Sequence, residues 1–279
     1  MTNPKNLYIS DLDGTLLNSS KEVSKYSKDI INDLIKDGMK FSVATARTSG
    51  TVVRILSELN MNVPLVLMNG VAIYDLERGL YLKTNDMSKD TANAVIDILE
   101  TCGVDGFVYT IHGNSLVTYY KNLERKAMRD FHDERVNVYG KRFEQVKNLS
   151  EGVKEGKILY FTMLDEYDKL KGAFEALKKM GEINAAFYRD VYAEGMWFLE
   201  VYSNKASKSS AAQYLGKEYG FTHITGFGDN FNDIPLLSAC DEFYAVLNAV
   251  DELKKRATGI IYDNNSDGVA RFLYEQRCT

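Results

Sequence analysis

Apolar and polar positions along this chain follow two rhythms, and the change between them predicts its organisation. The first run, Leu7-Tyr8-Ile9, is short, apolar and ends abruptly at Ser10-Asp11, as a buried strand does. Ser24, a good helix N-cap, precedes apolar positions at Ile30, Ile31, Leu34 and Ile35, and Gly38 follows as a stop. Phe41-Ser42-Val43-Ala44 reads as the next strand. A helix with Val52, Ile55, Leu56 and Leu59 on one face leads to a third strand at Leu65-Val66-Leu67-Met68. Short apolar strands between amphipathic helices predict a parallel sheet covered on both faces.

Near residue 70 the rhythm changes. Residues 72–74 and 80–82 flank Arg78-Gly79 as the arms of a hairpin would. A helix over 88–100 precedes alternating strands at 106–111 and 115–120, and a charged helical stretch runs over 122–136. A strand at 158–164, a helix at 167–180 and strands at 183–189 and 197–202 complete this part. From Ser207 the first rhythm returns, with a helix through Ala211, Ala212 and Leu215, strands at 223–227 and 243–247, a helix after Asn232, and a last helix from Asp267. The fold class is therefore read as α/β. A doubly wound parallel-sheet core, residues 1–82 and 193–279, is interrupted by an inserted α+β domain, residues 83–192.

Composition narrows the chemistry. A chain of 279 residues suits about two domains at ~150 residues each. Its 45% hydrophobic and 26% charged residues are the balance of a globular protein, and three prolines leave no room for a Pro-rich linker. With 34 Lys+Arg against 39 Asp+Glu the net charge is −5, so the chain lacks the field that draws in nucleic acid. A small anionic substrate would need a local cluster of positive charge. Cys102, Cys240 and Cys278 are odd in number, far apart and in no CxxC pattern, so they read as free thiols of a reducing compartment. Residues 1–10 hold no signal-peptide core and no window reaches ~18 apolar residues, so a cytoplasmic protein off the membrane is expected.

In doubly wound sheets ligands bind just beyond the carboxyl ends of the strands. After the first strand comes Asp11-Leu12-Asp13-Gly14-Thr15, after the second Thr45-Ala46-Arg47, after the third Asn69-Gly70. After the strand ending at Phe227 comes Gly228-Asp229-Asn230-Phe231-Asn232-Asp233. Asp and Gly suit turns in any protein, but four strand ends that converge with four carboxylates, a hydroxyl and an arginine are poorly explained by turn preference. Asp11, Asp13, Thr15 and Glu22 also match calcium-loop positions 1, 3, 5 and 12, yet Leu16 stands where that loop needs glycine, and a strand precedes it. Asp11 and Asp13 point the same way along the chain, and with Asp229 and Asp233 they form a cluster that calls for a cation. An all-oxygen set suits Mg²⁺, and a phosphate would complete its shell.

On these motifs the chain resembles the haloacid dehalogenase (HAD) superfamily, in its Cof-type branch with an inserted α/β (C2-type) cap on a Rossmann-like core. DLDGTLL resembles the first motif DxDGT, Thr45-Ala46-Arg47 the second (TGR), and Gly228–Asp233 the fourth (GDxxND). Lys208, eight residues after Glu200, falls on the third-motif lysine, with Lys205 as a competitor. Asn248-Ala249 and Asp267-Gly268-Val269-Ala270 resemble two further segments of the branch. Ala46 and Ser209 stand where glycine is usual. The resemblance implies Asp11 as nucleophile, forming an aspartyl-phosphate, and Asp13 as general acid and then base. It implies phosphoryl contacts from the Thr45 hydroxyl, the backbone at Leu12 and Ala46, Lys208 and Asn232, with Arg47 on substrate or phosphate. Mg²⁺ would be held by Asp11, the Asp13 carbonyl, Asp229 and Asp233, the last through water or by orienting Lys208. Asp13, where transport ATPases of this kind carry Thr, implies rapid turnover to water.

The implied activity is a Mg²⁺-dependent phosphatase of small phosphorylated metabolites, with the cap closing over the core site and setting specificity. A phosphomutase and a non-hydrolytic phospholigand-binding regulator are the rival readings. His112, His132 and His223 are scattered and read as structural or surface groups, and the charged run 124–142 as a solvated helix face and loop. Trp197 reads as core packing, with a place lining the substrate cavity as the alternative.

Overall fold

In the computed structural model, which describes residues 5–190 and 193–278, the first apolar run is β1 (Asn6–Ser10). Ser24 caps the helix Lys25–Lys36, its hydroxyl accepting from the Ser27 N–H, and Ile31 and Leu34 are buried. β2 (Lys40–Val43) is followed by the helix Ser49–Ile55, then β3 (Leu65–Leu67), β4 (Ala72–Asp75) and β5 (Leu80–Thr84). The chain then enters a second compact unit, Thr84–Ala206, and returns to the first, Met1–Lys83 with Ser207–Thr279.

The second unit is built on β6 (Phe107–His112), β7 (Ser115–Tyr120), β8 (Arg142–Gln145), β9 (Lys157–Glu166), β10 (Ile183–Arg189) and β11 (Met196–Ser203). Their order is β10-β11-β9-β6-β7-β8, antiparallel except where β8 runs parallel to β7. The helices Lys89–Thr101 and Tyr167–Leu177 bury Val95, Ile96, Leu99, Leu170, Ala173 and Leu177 in one core with Phe161, Met163, Leu199 and Val201. Trp197 packs against that cluster, its ring 4.9 Å from Phe187 and 5.0 Å from Tyr167. Among the described residues of this unit one carboxylate is buried: Glu200 accepts from the hydroxyls of Tyr160 and Tyr188, both at 2.7 Å.

The first unit is completed by β12 (His223–Gly228), β13 (Glu242–Val246) and β14 (Gly259–Ile261). Five parallel strands lie in the order β14-β13-β12-β1-β2. The chain steps from β1 to β2 on one side, and from β12 outward to β14 on the other. The β1/β12 boundary is thus the place where a doubly wound sheet opens its crevice. Register sharpens the point: Ser10 lies opposite both Val43 and Phe227, so Asp11, Ala44 and Gly228 stand at one level.

Three expectations need correction. The return to the core was expected at 193, beside Val191 and Tyr192, which lie outside the described residues. β11 instead belongs to the inserted sheet, paired antiparallel with β10 and β9, and the return falls at Ser207. The third strand does not join the parallel sheet as a full member. β3 touches β2 through the parallel Ala44–Val66 bridge and then pairs antiparallel with β4. Finally, β8 starts at Arg142, the last residue of the charged run expected to be helix face and loop, and extends to Gln145 beyond it. Its lone aromatic, Phe143, meets Phe107 at 5.5 Å and His132 at 4.9 Å, a ring cluster that distant residues supply. β14 and the short helix Asp251–Arg256 before it also lie outside the expected elements.

Cys102 and Cys240 are free thiols, and the side chain of Cys278 lies outside the described residues. No helix among the described residues is long and apolar enough to cross a membrane.

Candidate active site

β1 delivers Asp11, whose N–H donates to the Phe227 carbonyl at 2.9 Å, so this residue is tied to the end of β12. The chain then turns sharply: the Leu12 carbonyl accepts from the N–H groups of Thr15, Leu16 and Leu17. Gly14 takes φ +81°, and a Cβ there would lie 2.4 Å from Asp229 Oδ2, so only glycine lets the loop approach that carboxylate. Thr15 Oγ1 donates to Asp229 Oδ1 at 3.0 Å. Asn248 Nδ2 holds the Gly14 carbonyl at 2.7 Å, and Asn264 Nδ2 holds that of Leu17 at 2.8 Å. Thr15, Asn248 and Asn264 are thus supports to which the sequence reading gave no role. Asn248 lies in one of the segments that resemble the branch.

Lys208 reaches the cluster as the first residue of the helix Lys208–Tyr219, which Ser207 caps through a reciprocal bond with Ser210. Gly70, at φ +96°, packs so closely under this turn that a Cβ would lie 2.1 Å from the Ser207 carbonyl oxygen. Lys208 is 1% exposed, and its Nζ donates to Asp11 Oδ1 at 2.5 Å and to Asp233 Oδ1 at 2.6 Å. The other Asp233 oxygen accepts from the N–H groups of Asp229 and Asn230 at 3.0 and 3.1 Å. Lys205 is exposed, three residues away.

Asp11, Asp229 and Asp233 are all buried, and each offers an oxygen within 4.8 Å of the others. Burial first, and then the Asp233 charge, push Asp11 up to about 8. Burial and the same neighbours raise Asp229 well above the carboxylate range, against the Thr15 hydrogen bond. Burial would pull Lys208 down, but Asp11 and Asp233 outweigh it and its pKa is raised. One lysine therefore faces three crowded carboxylates, and the excess negative charge is unbalanced by protein groups in this cluster. An all-oxygen donor set with surplus charge fits a hard divalent cation. None of the three histidines is part of this group: His112 meets the Tyr119 hydroxyl, His132 meets Asp133, and His223 lies near Asp241.

The second strand end forms a separate part of the site. Thr45 is buried, and its hydroxyl accepts from the Arg47 N–H at 3.1 Å. Ala46 is half-buried on the same turn. Arg47, expected on substrate or phosphate, places its guanidinium on Asp13, with Nε 2.7 Å from Oδ2 and Nη2 2.5 Å from Oδ1. The Asp13 carboxylate is thus held outside the three-carboxylate group. The Leu12 side chain is fully buried. Asn232 is half-buried in the turn Phe231–Asp233.

A family model for haloacid dehalogenase-like hydrolases matches residues 8–273. The 5-amino-6-(5-phospho-D-ribitylamino)uracil phosphatase YwtE of Bacillus subtilis is 26% identical over 283 residues, covering 94% of this chain and 95% of that protein. The pyridoxal phosphate phosphatase YbhA of Escherichia coli is 24% identical over 270 residues, covering 95% and 96%. A crystal structure of a haloacid dehalogenase-like hydrolase from Bacteroides thetaiotaomicron superposes with a TM-score of 0.81 at 21% identity, over 97% of this chain and 99% of that one, a likeness of fold. With a family match spanning nearly the whole chain, the chain belongs to the haloacid dehalogenase-like hydrolases, as a phosphatase of the Cof-type branch.

Proposed function

We propose that the protein is a Mg²⁺-dependent phosphomonoester hydrolase working through a phosphorylated Asp11. The observation that carries this reading is the buried group Asp11, Asp229 and Asp233 with Lys208 between two of its members. Asp11 attacks phosphorus in line, and its place at the end of β1 fixes the direction of attack. Lys208 spreads positive charge over the phosphoryl oxygens, joined by the Thr45 hydroxyl, the N–H groups at Leu12 and Ala46, and Asn232. Asp13 protonates the leaving oxygen and afterwards takes the proton of the attacking water. Asp11, the Asp13 carbonyl, Asp229 and Asp233 would hold Mg²⁺, which supplies charge neutralisation and a template for the displacement. The inserted unit is the specificity cap of this reading. The named relatives act on a phosphorylated ribitylaminouracil and on pyridoxal phosphate, which supports small phosphorylated metabolites, sugar phosphates or phosphorylated cofactors, as substrates in the cytoplasm.

The test is phosphate release from a panel of such esters, with Mg²⁺ and with excess EDTA. Release with a clear ranking that EDTA abolishes is the expected result. No release from any ester, with isomerisation in the presence of a bisphosphate, would instead identify a mutase.

The charge crowding makes a second prediction. A carboxylate whose folded pKa is raised binds its proton more tightly in the native state, so its contribution to stability falls as pH rises from about 4 towards about 8. A bound cation relieves this cost. The increase in melting temperature on adding Mg²⁺ is therefore expected to be larger at pH 8 than at about pH 6, because protons and Mg²⁺ compete for the same oxygens. An equal or larger increase at the lower pH would show that Asp11 and Asp229 do not hold the ion.

A further inference from the structure

The bond between Arg47 and Asp13 carries an inference of its own, which rests on the function proposed above. We propose that Arg47 is a positioning residue: its guanidinium holds the Asp13 carboxylate as the proton acceptor of the second half-reaction, hydrolysis of the phosphorylated Asp11.

Three observations lead there. The pair is a side-on fork, with Nε at 2.7 Å from one carboxylate oxygen and Nη2 at 2.5 Å from the other. Two parallel contacts fix the plane of the carboxylate as well as its distance, which a single lysine could not do. Both side chains are largely shielded, Arg47 at 13% and Asp13 at 27% exposure, so the pair is screened less than a surface salt bridge. The arginine is itself anchored, since its N–H donates to Thr45 Oγ1 at 3.1 Å and its carbonyl accepts from the Met68 N–H at 3.1 Å. The fork therefore hangs from the end of β2 and reaches the loop after β1.

The geometry also selects between the two roles of Asp13. A guanidinium only donates, so both Asp13 oxygens act here as acceptors. An acceptor carboxylate suits the step in which water attacks. The water oxygen bonds to phosphorus, the bond from phosphorus to the Asp11 oxygen breaks with its electron pair returning to Asp11, and the water proton passes to Asp13. The first half-reaction asks the opposite of Asp13, a proton given to the leaving oxygen, and the fork does nothing for it.

Loss of the fork should therefore slow the second step and spare the first whenever the leaving group needs no proton. The probe is 4-nitrophenyl phosphate with Mg²⁺, followed by rapid mixing. For Arg47→Gln we expect a burst of nitrophenolate near one equivalent per active site and kcat lower by ~10 to 10²-fold, within the range of a misplaced general base. KM should fall in parallel, leaving kcat/KM within a few-fold of the parent. In Asp13→Asn the further change Arg47→Gln should cost no more than about 2-fold in kcat, because a residue acting through Asp13 has nothing left to position. A raised KM with kcat/KM falling at least as far as kcat, and no burst, would mean that Arg47 binds the substrate directly. Independent losses in the double variant would also overturn the proposal, even if Arg47→Gln alone lowers the melting temperature. A parent enzyme that releases no nitrophenolate fails at the earlier point, the phosphatase reading itself.

Discussion

Asp11→Asn is expected to lower turnover by at least ~10⁴-fold while the melting temperature holds or rises, because the group that forms the covalent bond has no substitute in its amide. The two halves of this result have separate causes. The amide oxygen can still accept the Lys208 hydrogen bond now made to Oδ1, so the local geometry has little reason to change. The lost charge is one of three crowded, buried carboxylates, and burial and Asp233 already push its pKa up to about 8. Removing it relieves repulsion. Single-turnover phosphate release and a thermal melt, run side by side, check both halves. Activity within about 10-fold of the parent would remove Asp11 from the nucleophile role. A collapse of stability would show that the carboxylate is held by contacts its amide cannot reproduce.

Lys208→Met should rank next in its effect on activity, and unlike Asp11→Asn it should also cost stability. Methionine keeps much of the length but no charge, leaving Asp11 and Asp233 facing each other without their shared cation. Removing one partner from a buried ionic group costs on the order of 3 kcal/mol, at the low end of the usual range because the freed carboxylates can take up protons. In the proposed mechanism the lost donor serves the phosphoryl oxygens, so kcat should fall by ~10²- to 10³-fold. Mg²⁺ should close part of the stability gap, since the cation replaces some of the missing charge. The matched change at exposed Lys205 should stay within about 2-fold in kcat, as a solvated charge away from the group. The reverse ranking of the two lysines would overturn the assignment of the third motif.

Much of this site was legible because its parts are local. A short apolar strand that ends in Asp-x-Asp-Gly-Thr stands out in the sequence, since strand, turn and carboxylates all lie within ten residues. The choice of Lys208 over Lys205 was legible from motif spacing, and it agrees with the burial of one and the exposure of the other. Less legible were the residues whose work is done across the fold. Thr15 and Gly14 serve Asp229, more than 200 positions away, and Asn248 reaches back to the Gly14 carbonyl. No periodicity marks such a contact, because the partner is chosen by the packing of strands and not by the neighbouring sequence.

The same division runs through the whole chain. By itself the sequence determined most element types in the core, the interruption of that core by an inserted α+β unit, and the residues proposed for phosphoryl chemistry, because hydrophobic period, capping and motif spacing are short-range properties. Only the tertiary structure decided that β11 pairs within the inserted sheet, that Phe143 makes a strand of a charged segment, and that Arg47 lies on Asp13. Each of those outcomes depends on which distant surface is within reach, and that is settled when strands choose their neighbours and bring β1, β2 and β12 to one edge.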